Sequence, residues 1–198
     1  MALPEKRPGG YTYADYAAWP DEERWELIDG VPWNMSPAPG RSHQQVLLDI
    51  ARRVAAITDS GPCETYVAPF DVRLVEPAGE RHWDADEPPD DSVTTVVQPD
   101  ISVFCRPEVL DERGAHGAPD LIIEILSPST SYKDQSTKLS LYERHRVREY
   151  WIVNPDAGWV MVYRLGDGER YGKPDYYTAG ESAVSDVLGG AQIALDDV

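Results

Sequence analysis

Cations are scarce in this chain: 18 Lys and Arg stand against 35 Asp and Glu, a formal net charge of −17. A protein that held nucleic acid by long-range attraction alone would need the opposite balance, because non-specific affinity comes mainly from Lys and Arg on phosphates. Long apolar runs are missing too. None approaches the roughly 20 residues that cross a bilayer, so no membrane partner is expected. The start, Met1 to Arg7, lacks the apolar core of a secretory signal. Cysteine is limited to Cys63 and Cys105, far apart and both in strand-like surroundings. They are expected as free buried thiols in a reducing cytoplasm, with no part in a metal site. No His/Cys spacing suits zinc. No Walker motif, dinucleotide-binding glycine fingerprint or Gly-x-Ser-x-Gly elbow appears.

What is present fits a single domain over residues 1–198, with 41% hydrophobic and 27% charged residues. Part of the acid excess is local. Residues 76–95 carry Glu76, Glu80, Asp84, Asp86, Glu87, Asp90 and Asp91 against Arg81, broken by Pro77, Pro88 and Pro89. That composition predicts a flexible, solvated acidic loop. Basic residues gather elsewhere, at Arg52 and Arg53 and again at Lys133, Lys138, Arg144, Arg146 and Arg148.

Periodicity and turn chemistry order the elements. Thr12 caps a short helix over 13–19, closed by Pro20. Residues 25–28 and 31–35 form a hairpin around Asp29-Gly30. Ser42, with Gln45 as capping-box partner, starts a long helix whose Val46, Leu47, Ile50, Val54 and Ile57 share one face. Strands follow over 64–67, 70–75, 96–104 and 121–126. A helix begins near Asp134 and runs to about 146. Strands over 149–153 and 159–163 pair around a turn, and short late strands cover Tyr176-Tyr177 and 191–193. The fold class is α/β, a mixed β-sheet flanked by helices.

Chemistry concentrates in the middle of the chain. Gln98-Pro99-Asp100-Ile101-Ser102-Val103 and Asp120-Leu121-Ile122-Ile123-Glu124-Ile125-Leu126 are apolar strand-type runs that each carry carboxylates. Pro99 cannot donate to a ladder, so Asp100 sits where a strand begins or bulges. Glu124 has apolar neighbours on both sides, and a buried carboxylate needs a partner or a metal. Asp120 also follows a proline, but four strand residues separate it from Glu124, about 13 Å. The two cannot share one ion, whereas Asp100 and Glu124 can. Alternation puts Leu126 on the face of Glu124, where a lysine would complete a compact site. Lys138, one turn into the following helix, is the nearest replacement, and its competing role is a solvated charge paired to Asp134. Glu26, inside a half-buried strand, is a further candidate acid or a sheet-edge charge. His43, at the start of the long helix, reads as a cap or core residue. Carboxylates of this kind hold a hard divalent cation, which activates water and neutralises phosphate charge.

The stretches Tyr13-Ala14-Asp15-Tyr16, Trp25-Glu26-Leu27-Ile28-Asp29-Gly30, Met35-Ser36-Pro37, His43, Pro99-Asp100-Ile101, Ile123-Glu124-Ile125-Leu126-Ser127-Pro128-Ser129-Thr130, Asp134, Lys138, Tyr142 and Glu149-Tyr150-Trp151-Ile152-Val153-Asn154-Pro155 together resemble the Uma-two family of the PD-(D/E)XK nuclease superfamily. The resemblance covers most of the chain. It implies a restriction-endonuclease-like fold and a Mg²⁺- or Mn²⁺-dependent endonuclease acting on nucleic acid, DNA foremost. It implies Asp100, Glu124 and the Ile125 carbonyl as metal ligands, Glu26 as an additional acid and Lys138 as a migrated site lysine. The departure is Leu126 in the lysine position of the wider superfamily. Two other readings compete: a non-catalytic binding module on the same fold, and a hydrolase of another phosphate ester, which would need a narrow closed pocket. Nuclease folds often pair, so a homodimer is a further expectation.

Overall fold

The computed structural model describes residues 9–20, 24–35, 39–75, 89–127, 134–196 and 198. Helix α1 (Tyr13–Tyr16) is a single turn, and the Asp15 carboxylate accepts the Thr12 backbone N–H at 3.1 Å and its hydroxyl at 3.2 Å. Strands β1 (Trp25–Ile28) and β2 (Val31–Asn34) meet at Asp29 and Gly30, with φ of 51° and 73°. This is the primed-turn geometry that Asp-Gly favours. Helix α2 (Arg41–Thr58) has Gly40, not Ser42, as its N-cap. The extended backbone of Gly40 opens the helix two residues early, so Ser42 lies inside it and the expected Ser42/Gln45 box does not form.

Strands β3 (Glu64–Val67), β4 (Val72–Arg73), β5 (Val96–Val97) and β6 (Ile101–Phe104) follow, then β7 (Leu110–Asp111), β8 (Gly114–Ala115) and β9 (Leu121–Ile125). A π-helical turn (Asp134–Lys138) leads into α3 (Leu139–Arg144). The chain ends with β10 (Glu149–Asn154), β11 (Trp159–Arg164), β12 (Asp175–Thr178), β13 (Ser182–Ser185) and β14 (Ala191–Ala194).

The expected mixed sheet is accompanied by a second one. The first, in the order β12-β11-β10-β9-β6-β3, is mixed: β9 and β10 run parallel and the other neighbours antiparallel. The second has the order β2-β1-β5-β4-β8-β7, and β13-β14 form a separate hairpin. The strand expected over 96–104 is therefore two strands in two sheets. Pro99 cannot continue a ladder, and the chain leaves one sheet at β5 and enters the other at β6.

Both faces of the first sheet are covered. On one, Val46, Ile50 and Val54 of α2 pack with Ile101, Val103, Leu121, Ile123, Ile125, Trp151 and Val153. On the other, Ile122, Tyr150 and Ile152 meet Tyr142 of α3 and Val72, Leu74 and Val97 from the second sheet. Burial on both sides explains why β9 and β10 read as continuous apolar runs.

Two expectations need correction. Cys63 and Cys105 are joined in a disulfide, not free. They extend the β3–β6 register beyond the Glu64–Phe104 pair, so residues 42 apart in sequence face each other across adjacent strands. The acidic segment also ends differently. Residues 76–88 lie outside the described part of the chain; Pro89, Asp91 and Ser92 are exposed, as a solvated loop would be, but the segment is packed from Val93 on. Val93 and Thr95 are 2% and 1% exposed, Val93 accepts the Tyr13 N–H at 2.8 Å, and Asp90 pairs with Arg113 at 2.8 Å.

Candidate active site at the seam between the sheets

The crossover at Pro99 places Asp100 at the head of β6. Register pairs Ile101 with Ile123, and one step further sets Asp100 directly across from Glu124 of β9. Asp100 Oδ2 accepts the backbone N–H of Ile125 at 2.8 Å. His43 Nε2, in the first turn of α2, lies 3.2 Å from the same oxygen, so this buried histidine is a hydrogen-bonding core residue and not a cap. What the sequence did not supply was its partner, because a single histidine at a helix start reads equally as a cap.

Glu124 is 4% exposed. Its Oε1 accepts Lys138 Nζ at 2.6 Å and the Tyr142 hydroxyl at 2.8 Å. Lys138 closes the π-helical turn and Tyr142 lies on α3, so the four-residue helical interval brings both to one carboxylate. Burial first, and then the Glu124 charge, pushes the Tyr142 phenol well above its ordinary pKa, so it stays a donor. Leu126 is buried in the same cluster as Ile122 and Tyr142, which leaves the ammonium to come from the helix. The side chain of Asp134, the rival partner for Lys138, lies outside the described residues.

Glu26 arrives from the other sheet. It is 1% exposed, and its Oε1 lies 3.0 Å from Lys138 Nζ and accepts the Gln98 backbone N–H at 3.2 Å. Lys138, itself 4% exposed, thus bridges an acid from each sheet. Asp120, at the far end of β9, is separate: it accepts Cys105 N–H at 2.8 Å and pairs with Arg148 at 3.2 Å. Glu149, another buried acid, holds the Trp151 indole N–H and the N–H groups of Asp186 and Val187. Both roles are structural.

Would these groups suit a divalent cation? Among the described residues, no three His, Cys, Asp or Glu side chains converge into a complete cage. A Mg²⁺ site does not need one, since one or two carboxylates with water and substrate phosphate suffice. Glu124 and Glu26 share the Lys138 ammonium, and Asp100 lies across the register from Glu124, so carboxylate oxygens are at hand for a hard cation. The Ile125 carbonyl fits as well. Continuing the β6–β9 register sets Pro99 opposite Ile125, and proline has no N–H to offer it. The residues fit a small hard cation.

The basic residues pair with nearby acids. Arg53 bonds Asp49 at 2.7 Å, Arg144 pairs with Asp29, Arg146 with Glu169 at 2.9 Å, and Arg148 with Asp120. Lys133 lies outside the described residues.

Acids on neighbouring strands, a buried lysine between them and helices on both faces of a mixed sheet define a restriction-endonuclease-like α/β domain. A solved structure agrees: a putative nuclease of the DUF820 group from Anabaena variabilis superposes with a TM-score of 0.65 at 20% identity, over 94% of this chain and 96% of that one. An uncharacterized protein of Synechocystis sp. is 22% identical over 156 residues, 77% of this chain and 73% of its own. The profile of the Uma2 family, described as "Putative restriction endonuclease", matches residues 13–196. The chain belongs to the Uma2 family.

Proposed function

We propose that this protein is a metal-dependent endonuclease that hydrolyses phosphodiester bonds, with DNA as its substrate. The observation that carries the reading is Lys138, whose ammonium joins Glu124 of one sheet to Glu26 of the other. Asp100, Glu124 and the Ile125 carbonyl would hold Mg²⁺ or Mn²⁺, which supplies water activation and charge neutralisation at phosphate. The remaining work falls to the chain. Lys138 stands where its charge offsets that growing on the phosphoryl oxygens. Tyr142 fixes the rotamer of Glu124. The Ile125 N–H and His43 fix Asp100, and His43 is placed to accept or return a proton there. Glu26 holds Lys138 toward the seam.

The strongly acidic surface is reconciled with DNA through exposed ion pairs. Such pairs are worth little, and Arg144 can exchange Asp29 for a phosphate. The same pairs also favour a second reading, a binding module without chemistry, because they leave little free positive surface. Placement in the cytoplasm rests on the substrate alone, since the disulfide removes the thiol argument for it. A homodimer would suit cutting both strands.

The test is cleavage of plasmid and linear DNA with Mg²⁺ or Mn²⁺, by wild type, Asp100→Asn and Glu124→Gln, with calorimetric metal titration alongside. Cleavage and metal binding lost in both variants support the proposal. Metal binding without cleavage of DNA or RNA would favour the binding module. Full activity in either variant would overturn the site.

A further inference from the structure

A cleft of about 540 Å³ opens next to this site, and the nuclease chemistry has no use for it. One wall is aromatic: Tyr13, Tyr16, Trp19 and Trp25. Tyr13 and Tyr16 stack at 5.9 Å, and Trp19 lies 5.5 Å from Tyr16 and 6.0 Å from Trp25. The opposite side is polar. Asp71 Oδ1 accepts the Tyr16 hydroxyl at 3.0 Å and Gln98 Nε2 at 2.8 Å. Gln98 Oε1 accepts Arg24 at 2.6 Å. Among the described residues, Asp71 Oδ2 accepts no hydrogen bond. Burial raises the Asp71 pKa, which marks a carboxylate poorly matched by its surroundings. Arg24 and Arg113 stand at the cleft, both exposed.

Cleft and site share one residue. Gln98 puts its side chain into the cleft while its backbone N–H bonds Glu26, and Asp100 follows two residues on, about 7 Å along extended chain. A carboxylate at the polar side repels phosphate and accepts N–H groups. An aromatic ring face such as that of Trp19 takes a flat ring. Nucleobases have both properties, with π-faces for stacking and N–H donors on their edges.

We propose that this cleft is a nucleobase pocket, which receives one unstacked base of the substrate strand beside the bond to be cut. The proposal rests on the nuclease reading for its substrate. The Trp19 ring stacks on the base, Asp71 Oδ2 accepts from its edge, and Arg24 and Arg113 meet the flanking phosphates.

Tryptophan fluorescence of the whole protein without metal provides the test, because Trp19 and Trp25 line the cleft. The probes are nucleoside monophosphates, ribose 5-phosphate and a short single-stranded oligonucleotide. Quenching by monophosphates but not by ribose 5-phosphate is expected. Affinity should fall by roughly fivefold or more in Trp19→Ala, the low end of one stacking contact, and also in Asp71→Asn, which keeps the shape of the cleft. Glu124→Gln should bind the monophosphates as wild type does. The oligonucleotide should bind tighter than any monophosphate, and equal affinity would overturn the assignment to a strand. Equal response to ribose 5-phosphate, or unchanged affinity in Asp71→Asn, would overturn the pocket. Base binding in a protein that cuts nothing would instead sink the nuclease reading and leave the pocket standing.

Discussion

The Ile125 backbone N–H donates to Asp100 Oδ2 at 2.8 Å, and the residue facing Ile125 in the strand register is Pro99. Side chain has replaced backbone as the partner of that amide, and the carbonyl of the same residue faces Pro99, which has no N–H. A proline in the chain therefore acts on the opposite strand.

Pro99→Ala tests this. Residue 99 would gain an N–H toward the Ile125 carbonyl and compete there with the proposed cation. One net hydrogen bond of about 1 kcal/mol should weaken Mg²⁺ binding by roughly fivefold, with stability unchanged or higher. Calorimetric titration decides the matter, and equal affinity in the variant would remove Ile125 from the ligand set.

Lys138→Met should leave Glu26 and Glu124 buried without their shared cation. Breaking a buried pair costs about 3–5 kcal/mol. A bound divalent ion would restore part of that, so Mg²⁺ should raise the melting temperature of the variant more than that of wild type. Equal shifts in both proteins would count against a metal beside these acids.

Tyr142→Phe removes one donor from Glu124 and nothing else. Hydrogen bonds to charged groups are worth about 1.5–3 kcal/mol, and urea unfolding should show a loss of that size. A loss below about 0.5 kcal/mol would mean that the carboxylate is satisfied without the phenol.

Asp71 gives a pH signature. Burial raises its folded pKa above the ordinary carboxylate value, so between the two values the native state binds more protons than the unfolded chain. Stability from this group is full below the unfolded pKa and declines as pH rises through the folded one. Asp71→Asn cannot titrate. Its melting temperature relative to wild type should climb from pH 4 to pH 7, and a gap that stays constant would contradict the raised pKa.

Reduction should expose the contribution of Cys63–Cys105. The closed loop, with its ends 42 residues apart, predicts a loss of about 2–4 kcal/mol. Melting with and without dithiothreitol, alongside Cys63→Ser, gives the measure. Identical melting in all three would show that the bond does not form in solution.

Much of this was legible beforehand, and the failures have physical causes. The hairpin at Asp29-Gly30, β9 and the β10–β11 pair announced themselves by turn chemistry and apolar runs. Glu124 stood out because a lone acid among Leu and Ile must be partnered. Lys138 was reachable by helical spacing alone. His43 was not, because its role depends on where α2 starts relative to β6, a distance no local pattern records. Residues 96–104 read as one strand because periodicity does not reveal which sheet a residue joins. The disulfide was missed because strand pairing, not sequence spacing, brings Cys63 to Cys105. Ser42 looked a better cap than Gly40, yet backbone geometry preferred the glycine.

The crossover from β5 to β6 also fixes a length. Gln98 reads the cleft with its side chain, and Asp100 belongs to the acids, with only Pro99 between them. Proline holds its own φ, so this span behaves as a short ruler and not as a hinge. A ruler sets an offset. For a nuclease whose cleft takes a base, the ends it produces should all lie the same number of nucleotides from that base, whatever sequence surrounds it.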